Sequence, residues 1–145
     1  MKATIFATLN NDATLTGLLT GGLYDNVVEI KRQETPGAFD AYQDVLPCLL
    51  LKTGTSTSTG PQYIKAERLL VNIWLYQQRT DTAIQAANRR IFELLHETCL
   101  KTIDGDTGAM WWITHVSDVT TNEETETLRG ARLIRAQYQA IYRRN

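Results

Sequence analysis

The chain has 145 residues, the length of one typical domain and enough to bury one hydrophobic core. We therefore predict a single domain over residues 1–145. The formal net charge is -1, which argues against bulk nucleic-acid binding, because neutralising phosphates requires a basic excess on one face. No apolar run approaches the roughly 20 residues of a membrane helix, and the N-terminal apolar stretch is too short for a signal peptide. We expect an intracellular protein without a membrane partner.

The two cysteines, Cys48 and Cys99, bear on the redox state of the compartment. An isolated pair without a secretory context is more typical of small buried side chains than of a disulfide. We therefore expect both thiols to be reduced and the protein to be made in the cytoplasm of the producing cell.

Two short helical patterns open the chain. Residues 3–9 carry apolar side chains at helical spacing, and Asp12 can cap a second helix that stops at Gly21 and Gly22. Residues 23–44 mix a short apolar stretch with a Pro-Gly pair and scattered charge, which predicts an extended piece followed by a loop. We expect few core residues from that segment.

The middle of the chain has the strongest strand patterns. Residues 45–52 are mostly apolar and bounded by turn residues, which predicts a buried strand. Residues 53–61 contain only threonine, serine, glycine and proline, so we expect a mobile hairpin loop there. Residues 64–78 have a long strand pattern with large apolar side chains on both faces, which indicates that both faces contact protein.

A helix and two further strands follow. Thr82 and Gln85 have the spacing of a capping box, and an amphipathic helix pattern comes after them. Residues 109–119 and 127–143 have strand patterns, and in the second of these apolar side chains alternate with polar ones. The order predicts an α+β fold: an antiparallel sheet of about four strands, one long helix packed on a face and a short N-terminal helical pair.

No motif points to catalysis. His96 and His115 have no second histidine, cysteine or carboxylate at the spacing of a metal site. The glycines at 54 and 60 lack the lysine and the following helix of a phosphate loop, and residues 104–106 lack the downstream ligands of a calcium loop. We predict no catalytic residue, no metal, no cofactor and no enzymatic activity; a small enzyme with a site assembled between subunits is the alternative of this class.

Aromatic side chains on the strands, a threonine-serine run and adjacent acidic and arginine blocks are candidates for a protein interface. The candidate residues are Thr55, Ser56, Thr57, Ser58, Trp74, Tyr76, Trp112, Glu123, Glu124, Arg129, Arg132 and Arg135. The aromatics have two alternative roles: contacts with helices or loops of the same chain, or a stacking platform for single-stranded nucleic acid. The charged blocks are alternatively a solvated strand face and a solvated turn.

Four segments of the chain also carry a family pattern. They are DATLTGLLTGGLYDN at 12–26, LPCLLLK at 46–52, VNIWLYQQRTDTAIQAANRRIFELL at 71–95 and LIRAQYQAIYR at 133–143. In this order, and over most of the chain, they resemble the small tail-completion or tail-terminator proteins of long-tailed bacteriophages. The segments 27–44 and 53–61 are longer than the family pattern.

This resemblance implies a structural virion protein that acts without turnover. Such proteins form a ring, typically of six copies, that caps the finished tail tube and presents a surface for joining to the head. The implied partners are copies of the chain itself, the tail tube protein and a head-connector or neck protein, at the head-tail junction of the virion. A small regulatory or nucleic-acid-binding protein that uses the arginines of residues 129–144 is the competing interpretation.

Overall fold

Three strands of 13 residues form the centre of the sheet in the computed structural model of this chain. The structure describes residues 1–54, 57–59, 66–101, 110–122, 128 and 130–143, and only the backbone of residues 57–59, 66, 67, 142 and 143. The strands are β1 (Leu23–Tyr24), β2 (Cys48–Thr53), β3 (Thr57–Thr59), β4 (Ala66–Gln78), β5 (Thr98–Lys101), β6 (Met110–Asn122) and β7 (Ala131–Arg143). The helices are α1 (Lys2–Asn10), α2 (Ala13–Leu18) and α3 (Thr82–Leu95), with a short 3-10 turn at Pro36–Ala38.

The strand order across the sheet is β1-β2-β4-β7-β6-β5, and β3 pairs with β4 beyond the end of β2. The described pairs are antiparallel except that of β1 with β2. The α+β class is confirmed, but the prediction of about four antiparallel strands was wrong. The additional strands β1, β3 and β5 have two, three and four residues, which is too short for an alternating pattern to reveal them.

Part of β3 lies in the segment for which we predicted a mobile loop. Thr57–Thr59 pairs with residues 66–68 of β4, so that prediction was wrong for these three residues. Threonine has a high strand propensity, and β4 offers a backbone edge there. Two other boundaries also moved: β6 continues to Asn122, and β7 begins at Ala131 after Gly130, whose φ of 81° favours glycine.

The helices pack on one face of the sheet. Their core has the fully buried side chains Ile5, Leu9, Leu15, Leu49, Leu51, Val71, Ile73, Leu75, Ile84, Ala87, Ile91, Leu95, Ile113, Ala136, Tyr138 and Ala140. The predicted alternation in β7 is confirmed, because Ala136, Tyr138 and Ala140 all lie in this core. In the described part of the chain, the helices are too short or too polar to cross a membrane.

The passage from β4 into α3 depends on a glutamine at the end of the strand. Gln77 Oε1 accepts hydrogen bonds from the backbone N–H groups of Ala83 and Ile84, at 3.1 and 3.3 Å. These are first-turn donors that have no partner within a helix. The predicted capping box was wrong, since Thr82 is already helical and Gln85 Nε2 donates instead to Asp81 Oδ2 at 2.8 Å.

Residues 25–45 cross the opposite face of the sheet at one end. Together with residues of β2, β4 and the region where β7 begins, they form a second, smaller core. Its buried members are Ile30, Ala38, Val45, Cys48, Leu50, Tyr76, Leu128, Ala131 and Leu133. Phe39 and Val45 form a β-bridge, and the Val45 carbonyl accepts from the Gln78 N–H at 3.2 Å, which holds the segment against the end of β4. Within residues 23–44, the apolar side chains buried in this core are Ile30 and Ala38, so the prediction that this segment contributes few core residues is confirmed.

Candidate functional site

The two histidines lie together between α3 and β6. The backbone N–H of His115 donates to His96 Nδ1 at 3.0 Å, and His115 Nε2 lies 2.8 Å from Asp118 Oδ1. Phe92 stacks on His96 with ring centroids 4.4 Å apart. Burial, together with the charge of Asp118, raises the pKa of the neighbouring Tyr138. The cluster ties α3 to β6, and the described residues contain no group of three or more His, Cys, Asp or Glu placed to hold a metal ion.

A broader surface is the half of the outer sheet face that lies beyond the second core. Strand alternation and register place on it Lys52, Arg68, Leu70, Cys99, Lys101, Met110, Trp112, Thr114, Gln139 and Ile141. We call this set the open half-face. Trp112 is 59% exposed and Met110 is 50% exposed. Its apolar side chains belong to neither of the two described cores, and Trp112 and Met110 are exposed enough to contact another molecule.

One row of side chains crosses the centre of the open half-face. Arg68 lies opposite Ile141, Ile141 opposite Trp112, and Trp112 opposite Cys99. The row therefore spans β4, β7, β6 and β5, a width of about 14 Å at the usual spacing between strands. A platform of this kind, with an exposed tryptophan and flanking polar groups, has the composition of a protein contact surface.

The open half-face is basic. Lys52, Arg68 and Lys101 lie on it, and no described carboxylate does. The acidic residue of β6, Asp118, is on the opposite face, where its Oδ2 accepts from Asn88 Nδ2 of α3 at 3.3 Å. Lys52 and Lys101 beside an exposed indole favour a partner that offers acidic and aromatic groups.

The predicted interface aromatics are divided between the surface and the interior. Trp112 lies on the open half-face, whereas Tyr76 is 6% exposed in the second core. For Tyr76 this burial agrees with the alternative of coverage by the same chain. Trp74 is half-buried beside that core, and the guanidinium carbon of Arg135 lies 5.6 Å from its ring centroid.

The other candidates lie on the β7 surface, in β3 or outside the described residues. Arg132 is exposed, and its Nη1 donates across the strands to Asn122 Oδ1 at 2.9 Å. Thr57 and Ser58 belong to β3. Thr55, Ser56, Glu123, Glu124 and Arg129 lie outside the described residues. Sequence reasoning missed Met110 as a surface candidate, although it has the same parity as Trp112 in the same strand pattern.

The backbone edge of β6 offers a second surface. β5 pairs with residues 110–113 of β6 and stops there. Beyond that point, residues 117–122 pair with β7 on one side and have no partner strand on the other among the described residues. An unpaired edge presents free N–H and C=O groups, which can receive a strand from another chain.

Comparison with known proteins gives a likeness of fold. No family model and no curated protein matches this chain. Among solved structures, the chain is similar to a chain in the virion of a native gene transfer agent particle, with a TM-score of 0.71 and 12% sequence identity. The likeness covers 99% of this chain and 95% of that one. At this identity it shows that the two chains share a fold.

Proposed function

We propose that this chain is a structural virion protein, a tail-terminator or tail-completion protein that forms a ring on the tail tube and helps to join the tail to the head. The observation that carries the proposal is the fold shared with a chain of a gene transfer agent virion over nearly the full length of both. The ordered segments that resemble tail-terminator proteins support the same role. The proposed partners are copies of the chain, the tail tube protein and a head-connector or neck protein.

The surfaces described above support the proposal of a ring. A ring needs two different, complementary surfaces on each copy, because the same head-to-tail contact repeats around the circle. The open half-face is one candidate surface, and the edge of β6 that has no partner strand among the described residues is another. Both lie outside the buried cores, so docking does not require the domain to unfold.

The arginines of β7 offer a direct test of assembly. Arg132 is exposed on this strand, and we expect Arg132→Glu to reduce tail completion without lowering the melting temperature of the isolated chain. Arg135→Glu extends the test to the arginine beside Trp74. Arg89→Glu, an exposed reversal on α3, is the matched control. Complementation of a deletion strain, read as the number of complete particles, checks the result, and unchanged particle numbers with Arg132→Glu contradict the role of this arginine.

A pull-down from the producing cell tests the partners. The full chain is tagged and recovered, and the proteins that accompany it are identified. Recovery of a tail tube or head-connector protein supports the proposal. Recovery of nucleic acid without virion proteins contradicts it.

Single-stranded nucleic-acid binding is the second candidate, because the open half-face combines Trp112 with Lys52, Arg68 and Lys101. Bases stack on aromatic side chains while cations contact the phosphates. Such binding weakens steeply as salt concentration rises. A mobility shift with a labelled oligonucleotide, measured at low and at physiological salt, distinguishes it from protein assembly.

A further inference from the structure

A turn within residues 25–45 holds one tyrosine out into solvent. Asp40 Oδ1 accepts from the backbone N–H groups of Tyr42 and Asp44, each at 2.9 Å. The Asp40 N–H donates to the Asp44 carbonyl at 3.0 Å, and Gln43 has a φ of 66°. The Tyr42 side chain is 85% exposed at the tip. We call residues 40–44 the tyrosine turn.

The tyrosine turn is braced from both sides. Arg32 Nη2 donates to the Gln43 carbonyl at 2.9 Å, and the guanidinium carbon of Arg32 lies 5.4 Å from the Phe39 ring centroid. Arg79 forms an ion pair with Asp44 at 2.6 Å. A tyrosine on a braced backbone is suited to binding, because little conformational entropy remains to be lost when it docks.

The segment that carries the tyrosine turn is acidic. Residues 25–44 contain the carboxylates Asp25, Glu29, Glu34, Asp40 and Asp44 against the cations Lys31 and Arg32, and Arg79 adds a third cation beside Asp44. Five carboxylates against three cations leave the segment with a net negative charge. The open half-face carries no described carboxylate, and Lys52 and Lys101 give it the opposite sign of charge. The two surfaces are therefore complementary both in charge and in their exposed aromatic side chains.

These two surfaces cannot meet within one copy. The segment of the tyrosine turn is held at the Gln78 end of β4 by the hydrogen bond to Val45. The open half-face lies around Arg68, ten residues earlier on the same strand, which corresponds to about 33 Å of extended backbone. A tyrosine turn that docks on the open half-face must therefore belong to a second copy.

We propose that the tyrosine turn of one copy docks on the open half-face of a second copy, with Tyr42 against Trp112 and Met110. The contact joins two different surfaces, so it is head-to-tail and can repeat from copy to copy. This proposal rests on the proposed function, because the contact would join neighbouring copies within the ring. It does not use the acidic and arginine blocks or the edge of β6.

Cross-linking can test this contact, because Cys99 lies opposite Trp112 on the open half-face. Tyr42→Cys adds a thiol at the tip of the turn, and a short bis-maleimide links thiols that approach each other. Cys48 does not interfere, because it is buried and its pKa is raised to about 12. The exposed Thr14 of α2 provides a control position as Thr14→Cys. All variants are made in the full chain, and the mass of the uncrosslinked protein is measured in parallel by sedimentation.

A ladder of linked oligomers in Tyr42→Cys supports the proposal, provided that the wild type, Tyr42→Cys with Cys99→Ser, and Thr14→Cys all remain monomeric on the gel. Dimers alone would indicate a symmetric contact and overturn it. If sedimentation shows oligomers but the gel shows no ladder, this contact is overturned and the ring proposal is retained. If sedimentation shows only monomers and the gel shows no ladder, the result contradicts both proposals. Oligonucleotide binding that Trp112→Ala abolishes, with no ladder, would assign the open half-face to nucleic acid.

A second variant measures the strength of the contact. Trp112→Ala removes the central side chain of the open half-face, and we expect self-association to weaken about tenfold or more, as for a central aromatic of an interface. Tyr42→Ala should weaken it to a similar extent. Tyr42→Phe keeps the ring and should retain most of the association. Equal association by all three variants and the wild type would overturn the proposal.

Discussion

Arg90 holds Asp12 through two hydrogen bonds between residues 78 positions apart in the chain. Arg90 Nε donates to Asp12 Oδ2 at 3.0 Å, and Arg90 Nη2 donates to Asp12 Oδ1 at 2.8 Å. Asp12 Oδ2 also accepts from the Leu15 N–H at 2.9 Å, which caps α2. One carboxylate therefore caps α2 and ties it to α3. Through these bonds Arg90 holds the pKa of Asp12 below its ordinary range.

Removing this carboxylate should destabilise the domain. We expect Asp12→Ala to lower the free energy of unfolding by about 1 to 2 kcal/mol, the usual cost of a lost N-cap. Asp12→Asn keeps a capping oxygen and should cost less. Asp81→Ala is the control, since Asp81 precedes α3 but makes no side-chain cap. Urea unfolding measures the three variants, and equal loss in Asp12→Ala and Asp81→Ala would contradict the role of the cap.

The same ion pair makes stability depend on acid pH. The folded-state pKa of Asp12 is lowered from 3.8, so its contribution is fully present above the unfolded pKa and is lost as pH falls through the lower folded pKa. The stability advantage of the wild type over Asp12→Asn should therefore shrink below about pH 4. Urea titrations of both proteins across this range check it. A pH-independent difference would contradict it.

Gln77, which links the end of β4 to α3, should contribute to the stability of the domain although its side chain is only partly buried. Gln77→Ala leaves the N–H groups of Ala83 and Ile84 without their acceptor, and we expect a loss of about 1 kcal/mol in unfolding free energy. Gln77→Glu keeps the acceptor and places a negative charge at the helix N-terminus, so it should retain stability. Chemical denaturation tests the pair. Equal loss in the two variants would show that the acceptor is not the cause.

Truncation of Tyr76 should destabilise the domain far more than truncation of Trp112. Tyr76→Ala removes a large side chain from the second core, so we expect a loss of about 3 to 5 kcal/mol in unfolding free energy. Trp112→Ala removes an exposed side chain and should change stability by no more than about 0.5 kcal/mol. Thermal and urea unfolding separate the two. A large loss in Trp112→Ala would mean that Trp112 packs within its own chain.

The elements that could be predicted from the sequence are those whose apolar pattern repeats over many residues. α3, β4 and β7 repeat their apolar side chains over 13 or 14 residues, and the opposed sides of Trp111 and Trp112 follow from strand alternation alone. The second core could not be predicted, because Ile30 and Ala38 are isolated apolar residues whose burial depends on where the chain crosses the sheet. The cap supplied by Gln77 is equally non-local.

The residues of the candidate site were likewise predictable only where the sequence has a repeating pattern. Trp112 was expected at an interface as an aromatic side chain on a strand, and strand alternation places it on the face opposite to Trp111. Tyr42 was missed, since a single tyrosine in a polar segment has no periodic signal. The two aspartates around it, Asp40 and Asp44, are the local signal that could have found it, because an aspartate that precedes a turn often accepts its N–H groups.

The measurement that tests the central claim most directly is electron cryo-microscopy of particles from the producing cell, with and without the gene for this chain. Our account predicts a ring of copies with this fold at the junction of tail tube and head, and unjoined heads and tails when the chain is missing. Complete, joined particles that lack the chain would contradict it.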